Sequence, residues 1–415
     1  MKKREAGLLL CDFLSGRKMP EAGWNKLSPA EWDSLVDQAL RFSVGGLLYR
    51  EIKSRNFPAE YFPGDARNRL REAYRSQATN NTILFGNAAK VLASLADNQL
   101  PVIALKGLAV AKSLYGDIAL RPMSDLDLFV KEDDLVRAGR ILLAIGYTQP
   151  LPAWESMVRT FHHLPPFTNK SGVIIELHWN IVPPDSSIKM DLEGLWQRAR
   201  LVKLSGVEAR AFSPEDQFLH LCIHACLHLQ AGLGLLPICD IAAMINISDA
   251  EIDWRIVIAR ATRWGVQKCV YLMLLLVREL LGVAPPENVI VDLKPDDYQP
   301  AFFAEAQKQI LDEQPSSQLT RRRCGEFLKL KKAKGIKGRF IAIAKGAFPS
   351  KAYLAHYYPV AVSSPKIYLY YILRLGRLFG YYAWMLVRIF LRDRSLIKAV
   401  GHGQRVRAVS DWLFS

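Results

Sequence analysis

The sequence predicts an α+β protein in which a small mixed sheet with flanking helices sits between N- and C-terminal helical regions. Three observations carry that expectation. Apolar residues recur three and four apart through residues 1–95 and again beyond residue 185. Between those regions, over about 85 residues, short apolar runs alternate with amphipathic segments in the order strand, helix, strand, helix, strand. Half of the 415 residues are apolar and 23% are charged, a balance that favours packed cores over disorder. These textures divide the chain into a helical region (1–95), an α/β core (96–182), a second helical region (183–320) and a basic amphipathic extension (321–415).

In chain order, LSPAEWDSLVDQALRFSVGGLLYREIKSR has helical periodicity and a Ser28-Pro29 start. A second helix is expected through ARNRLREAYRSQATNNTILFGNAAKVLASLADN. The texture changes at Pro101. PVIALK reads as a strand, GLAVAKSLYG as a helix, and RPMSDLDLFV ends in a strand. DDLVRAGRILLAIGY is an amphipathic helix closed by Gly146, and GVIIELHWNIV is an apolar strand stopped by Pro183-Pro184. From 185 to 290 the pattern is helical again, with Ser213-Pro214-Glu215-Asp216 as a capped helix start. VYLMLLLVRELLG is too short to span a bilayer and carries Arg278 and Glu279, so it reads as a buried helix.

The chemistry concentrates in the core. In Ser124-Asp125-Leu126-Asp127-Leu128-Phe129-Val130 the two acids are two residues apart, so on a strand they project from one face. Side by side they repel unless something cationic lies between them, and a divalent metal with a polyphosphate resolves the conflict. Glu176 interrupts a second apolar strand and shares a face with His178. If the two strands are neighbours, three carboxylates converge as a two-metal phosphoryl transfer requires. Singly, each feature has an ordinary explanation: a solvated Asp pair, or a salt-bridged Glu. Their combination in one unit, behind a strand-to-helix loop at Leu105-Lys106-Gly107, points to function. Helix N-termini bind anions, Gly107 permits close approach, and Lys106 can neutralise a phosphate.

The run LKGLAVAKSLYGDIALRPMSDLDLFV, followed by an amphipathic helix ending in Gly-Tyr, resembles the uncharacterised bacterial nucleotidyltransferase family of the polymerase-beta-like nucleotidyltransferase superfamily. EDQFLHLCIHACLHLQ and LLPICDIAAMI resemble that family's helical region, and the likeness extends over roughly residues 25 to 285. It implies that 96–182 is a nucleotidyltransferase catalytic core. The two-acid motif falls on Asp125 and Asp127 and the third acid on Glu176, as metal ligands and catalytic residues. The implied cofactor is Mg²⁺, two ions, with Mn²⁺ as a substitute. The superfamily's Gly-Gly or Gly-Ser loop is replaced by Lys106-Gly107-Leu108, with Arg121 and Ser124 as further nucleotide-binding candidates. The implied activity is transfer of a nucleoside monophosphate from a nucleoside triphosphate, ATP among them, to a hydroxyl on a protein, sugar or glycan-related acceptor. Another activated donor, such as a nucleotide sugar, and a non-catalytic nucleotide-binding scaffold recruited to a membrane are the alternatives.

Other residues divide between two readings. Arg121 contacts the triphosphate or is a loop arginine. His220, His224 and His228 lie four apart and form one stripe; cleft lining fits better than zinc, which needs further ligands. His178 supports Glu176 or is a face residue. Asp240 reads as a buried structural acid, a potential partner of the histidine stripe. The six cysteines are scattered without zinc spacing, and no secretory signal is evident, so reduced thiols in a cytoplasmic protein are expected.

The net charge of +15 is unevenly placed. Residues 321–415 hold 20 Lys/Arg and 3 Asp/Glu, whereas 1–320 hold 35 and 37. In KIYLYYILRLGRLFGYYAWMLVRIFLR, Lys366, Arg374, Arg377, Arg388 and Arg392 form a narrow stripe on an otherwise apolar and aromatic helix. Either this helix lies in an anionic membrane interface, peripheral to the inner membrane, or it packs on the protein with its arginines outward. Nucleic acid ranks lower, since no RNA-binding motif is present. The sequence is silent on oligomeric state.

Overall fold

The computed structural model describes residues 1, 3–15, 27–55, 61–149, 161–184, 186–232, 234–248, 251–312, 347–351, 353, 354, 358, 360, 363–390 and 394–415. Among the described residues, the chain opens with the helices α1 (Lys3–Leu14), α2 (Pro29–Arg41), α3 (Gly45–Ser54) and α4 (Gly64–Asp97). The start of α2 is a capping box, with the Ser28 backbone N–H and hydroxyl donating to Glu31 Oε2 at 3.0 and 2.9 Å. The α/β unit then runs β1 (Ile103–Ala104), α5 (Lys106–Tyr115), β2 (Leu126–Phe129), α6 (Leu135–Ala144), β3 (Phe167–Thr168) and β4 (Ile174–His178).

Beyond residue 182, α7 (Leu192–Arg198) is followed by a hairpin of β5 (Arg200–Leu204) and β6 (Val207–Ala211). This corrects the expectation of continuous helix from 185. Ser205 and Gly206 both have positive φ, 51° and 85°, the signature of a two-residue turn matched to strand twist. The hairpin completes a mixed six-stranded sheet in the order β3-β4-β2-β1-β6-β5. β2 runs parallel to β4 and antiparallel to β1, and β1 runs parallel to β6.

Strand alternation assigns each face of the sheet to its own core. Leu126, Leu128, Ile175 and Leu177 pack with Leu84, Val91 and Leu95 of α4 and with Leu135 and Leu142 of α6. The opposite face contributes Ile103, Leu105 and Phe129 to a larger core. That core is built on α8 (Pro214–Gly232), α9 (Leu236–Ser248), α10 (Trp254–Trp264) and α11 (Gln267–Leu281). The chain continues through α12 (Glu287–Asp292), α13 (Pro300–Leu311), α14 (Ile367–Phe390) and α15 (Arg394–Leu413). α15 returns to the larger core through Val409, Trp412 and Leu413. The acids share the face of Phe129, so the helical layer covers the side of the sheet that carries the chemistry.

The basic tract 321–346, Arg392 and the side chain of Arg388 lie outside the described residues. Among the described residues, no helix is long and apolar enough to cross a membrane.

Candidate active site

The register of β2 against β4 sets Asp127 beside Glu176 and Phe129 beside His178. Two carboxylates thus stand on adjacent strands of one sheet face, where like charges would destabilise the pair without a counter-charge. Two donors meet one oxygen: His178 Nε2 lies 2.7 Å, and Lys106 Nζ 3.0 Å, from Asp127 Oδ1. His178 Nε2 also lies 3.4 Å from Glu176 Oε2. Asp127 and His178 are buried, while Glu176 and Lys106 are partly open.

The surroundings shift these groups in opposite directions. Burial works to raise the Asp127 carboxyl, but the His178 hydrogen bond and the Lys106 charge hold it far below the usual carboxylate range. Glu176 is also lowered, burial being outweighed by its contact with His178. Asp125 moves up, through burial and then through the charges of Asp127 and Glu176. His178 is raised against its burial by both carboxylates.

Local backbone explains why Lys106 reaches Asp127. Leu105 N–H donates to Asp127 O at 3.0 Å, joining the end of β1 to β2. Lys106 then turns into α5 with φ of 42°, a left-handed conformation rare outside glycine and characteristic of functional sites. At Gly107 a Cβ would lie 2.7 Å from Arg121 Nη1 and 2.8 Å from Met123 Cγ, so the absent side chain is what lets this turn pack.

Arg121 is committed to Asp240 on α9. Its Nε lies 3.1 Å from both carboxylate oxygens and its Nη2 2.8 Å from Oδ2, while Tyr115 OH donates to Oδ1 at 2.8 Å. Asp240 therefore pairs with Arg121 and Tyr115, not with the histidine stripe. From the other side, α4 holds the same loop: Asn80 donates to Met123 O and buried Asn81 to Arg121 O and Ile118 O. Tyr74 OH donates to Asp117 Oδ2 at 2.5 Å. The loop before β2 is thus tied to both helical layers, which fixes where Asp125 and Asp127 project. Asp125 immediately precedes β2 and accepts from the exposed Ser124 hydroxyl at 3.2 Å.

Two residues missed in the sequence border the site. The His162 and His163 rings lie 5.7 and 5.1 Å from that of His178, and both feel the charge of Glu176. Burial, with help from His163 and His178, pushes His162 down to about 3. An adjacent His-His pair ahead of Pro165-Pro166 was the available signal. On α8, His220, His224 and His228 are all lowered, by burial and then by the Lys106 charge, and all feel Asp127; His220 falls to about 3. The stripe therefore lies within electrostatic reach of Lys106 and Asp127. His178 Nδ1, His220 Nδ1 and both polar side-chain atoms of Gln217 are buried without a hydrogen-bond partner, a cost that binding sites repay with ligand contacts.

Among the described residues, one group of three brings a ligand atom each within 4.8 Å of one another: Asp127, Glu176 and His178. Two carboxylates and an imidazole form a donor set suited to a divalent cation. Asp125, in the bend before β2, is not part of this group, but its carboxyl feels the charges of Asp127 and Glu176.

The α+β sheet thus presents acids on neighbouring strands beside a strand-to-helix lysine turn. Residues 28–282, more than half of the chain, match the family described as "Uncharacterised nucleotidyltransferase", and the chain belongs to that family. It is accordingly a nucleotidyltransferase, for which a nucleoside triphosphate is the class of donor. None of the curated proteins matches significantly. One similar solved structure is an antigenic nucleotidyltransferase-like protein from Paracoccidioides brasiliensis. It is 15% identical with a TM-score of 0.27, over 50% of this chain and 96% of that one, a score at which no common fold follows.

Proposed function

We propose that the chain transfers a nucleoside monophosphate from a nucleoside triphosphate to a hydroxyl acceptor, with Asp125, Asp127 and Glu176 as the catalytic acids. The carrying observation is the convergence on Asp127: Glu176 beside it in register, with His178 and Lys106 both on its Oδ1. Asp127 and Glu176 would hold a divalent ion, with Asp125 joining from the bend before β2 and His178 orienting the pair. Mg²⁺, as two ions, is the cofactor this reading favours, and the imidazole makes Mn²⁺ an acceptable substitute. A bound ion supplies neutralisation of the triphosphate and a lower pKa for the attacking hydroxyl.

The residues of the chain do the rest. Lys106, released from Asp127, takes a phosphate oxygen. Gly107 and Ser124 give the triphosphate backbone room and a hydroxyl. Arg121 acts through position, holding the loop that carries the acids. Glu176, more open than Asp127, faces the acceptor. The acceptor hydroxyl gives up its proton to solvent and forms its bond to the α-phosphorus as the bond to the β-phosphate bridging oxygen breaks and pyrophosphate departs. His178, His220 and His224 line the cleft, and a cytoplasmic setting supplies the triphosphate.

The test is isothermal titration of the purified protein with ATP, GTP, CTP and UTP, with and without Mg²⁺, beside Asp125→Asn/Asp127→Asn. Metal-dependent binding lost in the variant supports the reading and names the donor. Absence of binding to all four transfers the case to a nucleotide-sugar donor. Binding without any product on acceptor screening supports a nucleotide-sensing scaffold.

A further inference from the structure

α14 leaves an apolar face open to solvent. On a helix packed against its own protein the apolar face points inward and the cations outward. Here Leu369, Ile372, Leu373 and Phe379 are 55, 66, 45 and 79% exposed, and Tyr368 and Leu375 are exposed beside them. At 100° per residue these six side chains occupy an arc of about 160°. The cations adjoin this arc and rest on tyrosine rings. Arg374 lies over the Tyr353 ring at 5.5 Å, and Arg377 over Tyr358 at 5.8 Å, with its Nη1 3.3 Å from the Tyr358 hydroxyl. Lys351 lies over the Tyr368 ring at 4.7 Å. Ile367, at the start of the helix, enters a small core with Leu354 and Val360, and Tyr370 and Tyr371 pack against it.

The protein is nonetheless built to carry this face. α15 follows directly and buries Trp412 and Leu413 in the main core. Trp412 Nε1 donates to Asp297 Oδ1 at 3.0 Å, and Arg405 Nε lies 3.0 Å from Glu305 Oε2. The helix that carries this face is thus joined to one anchored in the main core, while the face itself is exposed among the described residues.

We infer that the exposed apolar face of α14 docks on an anionic lipid bilayer, lying in its interface. Charge complementarity selects this occupant. Residues 321–351, just ahead of the helix, hold 11 Lys/Arg and a single acid, Glu326. Each basic residue near an anionic surface adds to the attraction. The tyrosine-stacked cations flank the apolar arc at the level where lipid phosphates lie when the arc is immersed. A second copy is a poor occupant, because 20 Lys/Arg against 3 Asp/Glu over 321–415 sets two such faces in mutual repulsion. The helix does not cross the bilayer; it lies on it.

The experiment is flotation of the full chain with phosphatidylcholine vesicles containing about 30 mol% phosphatidylglycerol, and with phosphatidylcholine alone. Ile372→Glu/Phe379→Glu is run in parallel, since both positions are open to solvent and the substitution leaves the cores untouched. Its circular dichroism and melting are checked against the parent chain. The expected result is flotation with the anionic vesicles, at least roughly tenfold weaker with the variant and with neutral vesicles. Failure of the parent chain to float on anionic vesicles overturns the inference, as does a variant that floats equally well. Self-association by light scattering that the variant abolishes, without vesicle binding by the parent, overturns it in favour of a second copy.

Discussion

Lys106→Met removes one of the two donors on Asp127 Oδ1 and keeps the length of the side chain. The ammonium lies 3.0 Å from that oxygen, with Lys106 20% and Asp127 5% exposed at their side chains. At an effective dielectric near 20, the gross attraction at that distance is about 5–6 kcal/mol. Desolvating the ammonium cancels much of this, and His178 remains as a partner, so the net loss should be about 2–3 kcal/mol, at the low end for breaking a buried pair. For a chain of this size that corresponds to a fall in Tm of roughly 5 °C. A divalent ion placed on the same oxygen does the lost work: at about one hundred times its Kd it returns some 2.7 kcal/mol. The variant should therefore melt below the parent without metal, bind Mn²⁺ more tightly because no ammonium competes, and recover most of its Tm when metal is added. Its triphosphate affinity should fall roughly tenfold or more, the worth of one charge-assisted hydrogen bond. Differential scanning fluorimetry and Mn²⁺ titration followed by electron paramagnetic resonance read these quantities. Weaker Mn²⁺ binding by the variant than by the parent would refute the idea that lysine and metal compete for Asp127.

Further expectations concern the supports of the site. Asp240→Asn leaves the Arg121 guanidinium buried without its carboxylate and should cost about 3–5 kcal/mol in urea unfolding. Gly107→Ala forces a methyl against Arg121 Nη1 and Met123; a loss of about 1–3 kcal/mol by thermal melting is expected, with weaker triphosphate binding by titration calorimetry. Acid should weaken the fold through His220, whose folded value of about 3 lies below the ordinary 6.5. A depressed histidine contributes stability that is present above 6.5 and lost as pH falls below it, because the unfolded chain takes up the proton first. At pH 5.5 this amounts to roughly 1.4 kcal/mol. His220→Gln should reduce by about that much the stability difference between pH 8 and pH 5.5 in paired denaturant titrations.

The alternation of Leu126, Asp127 and Leu128 was enough to set Asp127 opposite leucines that enter a core, whereas Asp125, expected on the same strand, sits in the bend before it. Likewise Glu176 and His178 could be read as a pair, since both periodicities are local. What was not legible depended on pairings between segments distant in sequence. The partnership of Arg121 with Asp240 spans 119 residues, and no spacing rule links them. Asn80 and Asn81 looked like ordinary polar residues of a long helix, and only the fold shows Asn81 buried against the loop. The β5–β6 hairpin was overlooked because its edge strand, with Arg200, Leu201 and Lys203, has little apolar alternation, leaving Ser205-Gly206 as the signal. Of the basic stripe, Arg374 and Arg377 rest on the rings of Tyr353 and Tyr358, contacts with residues about twenty positions upstream that helical periodicity does not reveal.

The Arg121–Asp240 strut bears on how this protein can be dissected. A fragment restricted to residues 96–182 holds every proposed catalytic acid but lacks α9, and so strands a guanidinium whose counter-charge has been cut away. The same cut removes β6 and leaves the edge of β1 unpaired, an open template for aggregation. The loop that aims Asp125 and Asp127 is finished only by residues more than a hundred positions downstream. Minimal-enzyme engineering, modular grafting and domain shuffling should therefore take the boundary of the functional unit past the helical layer, since the smallest piece that carries the acids is not the smallest piece that can hold them in place.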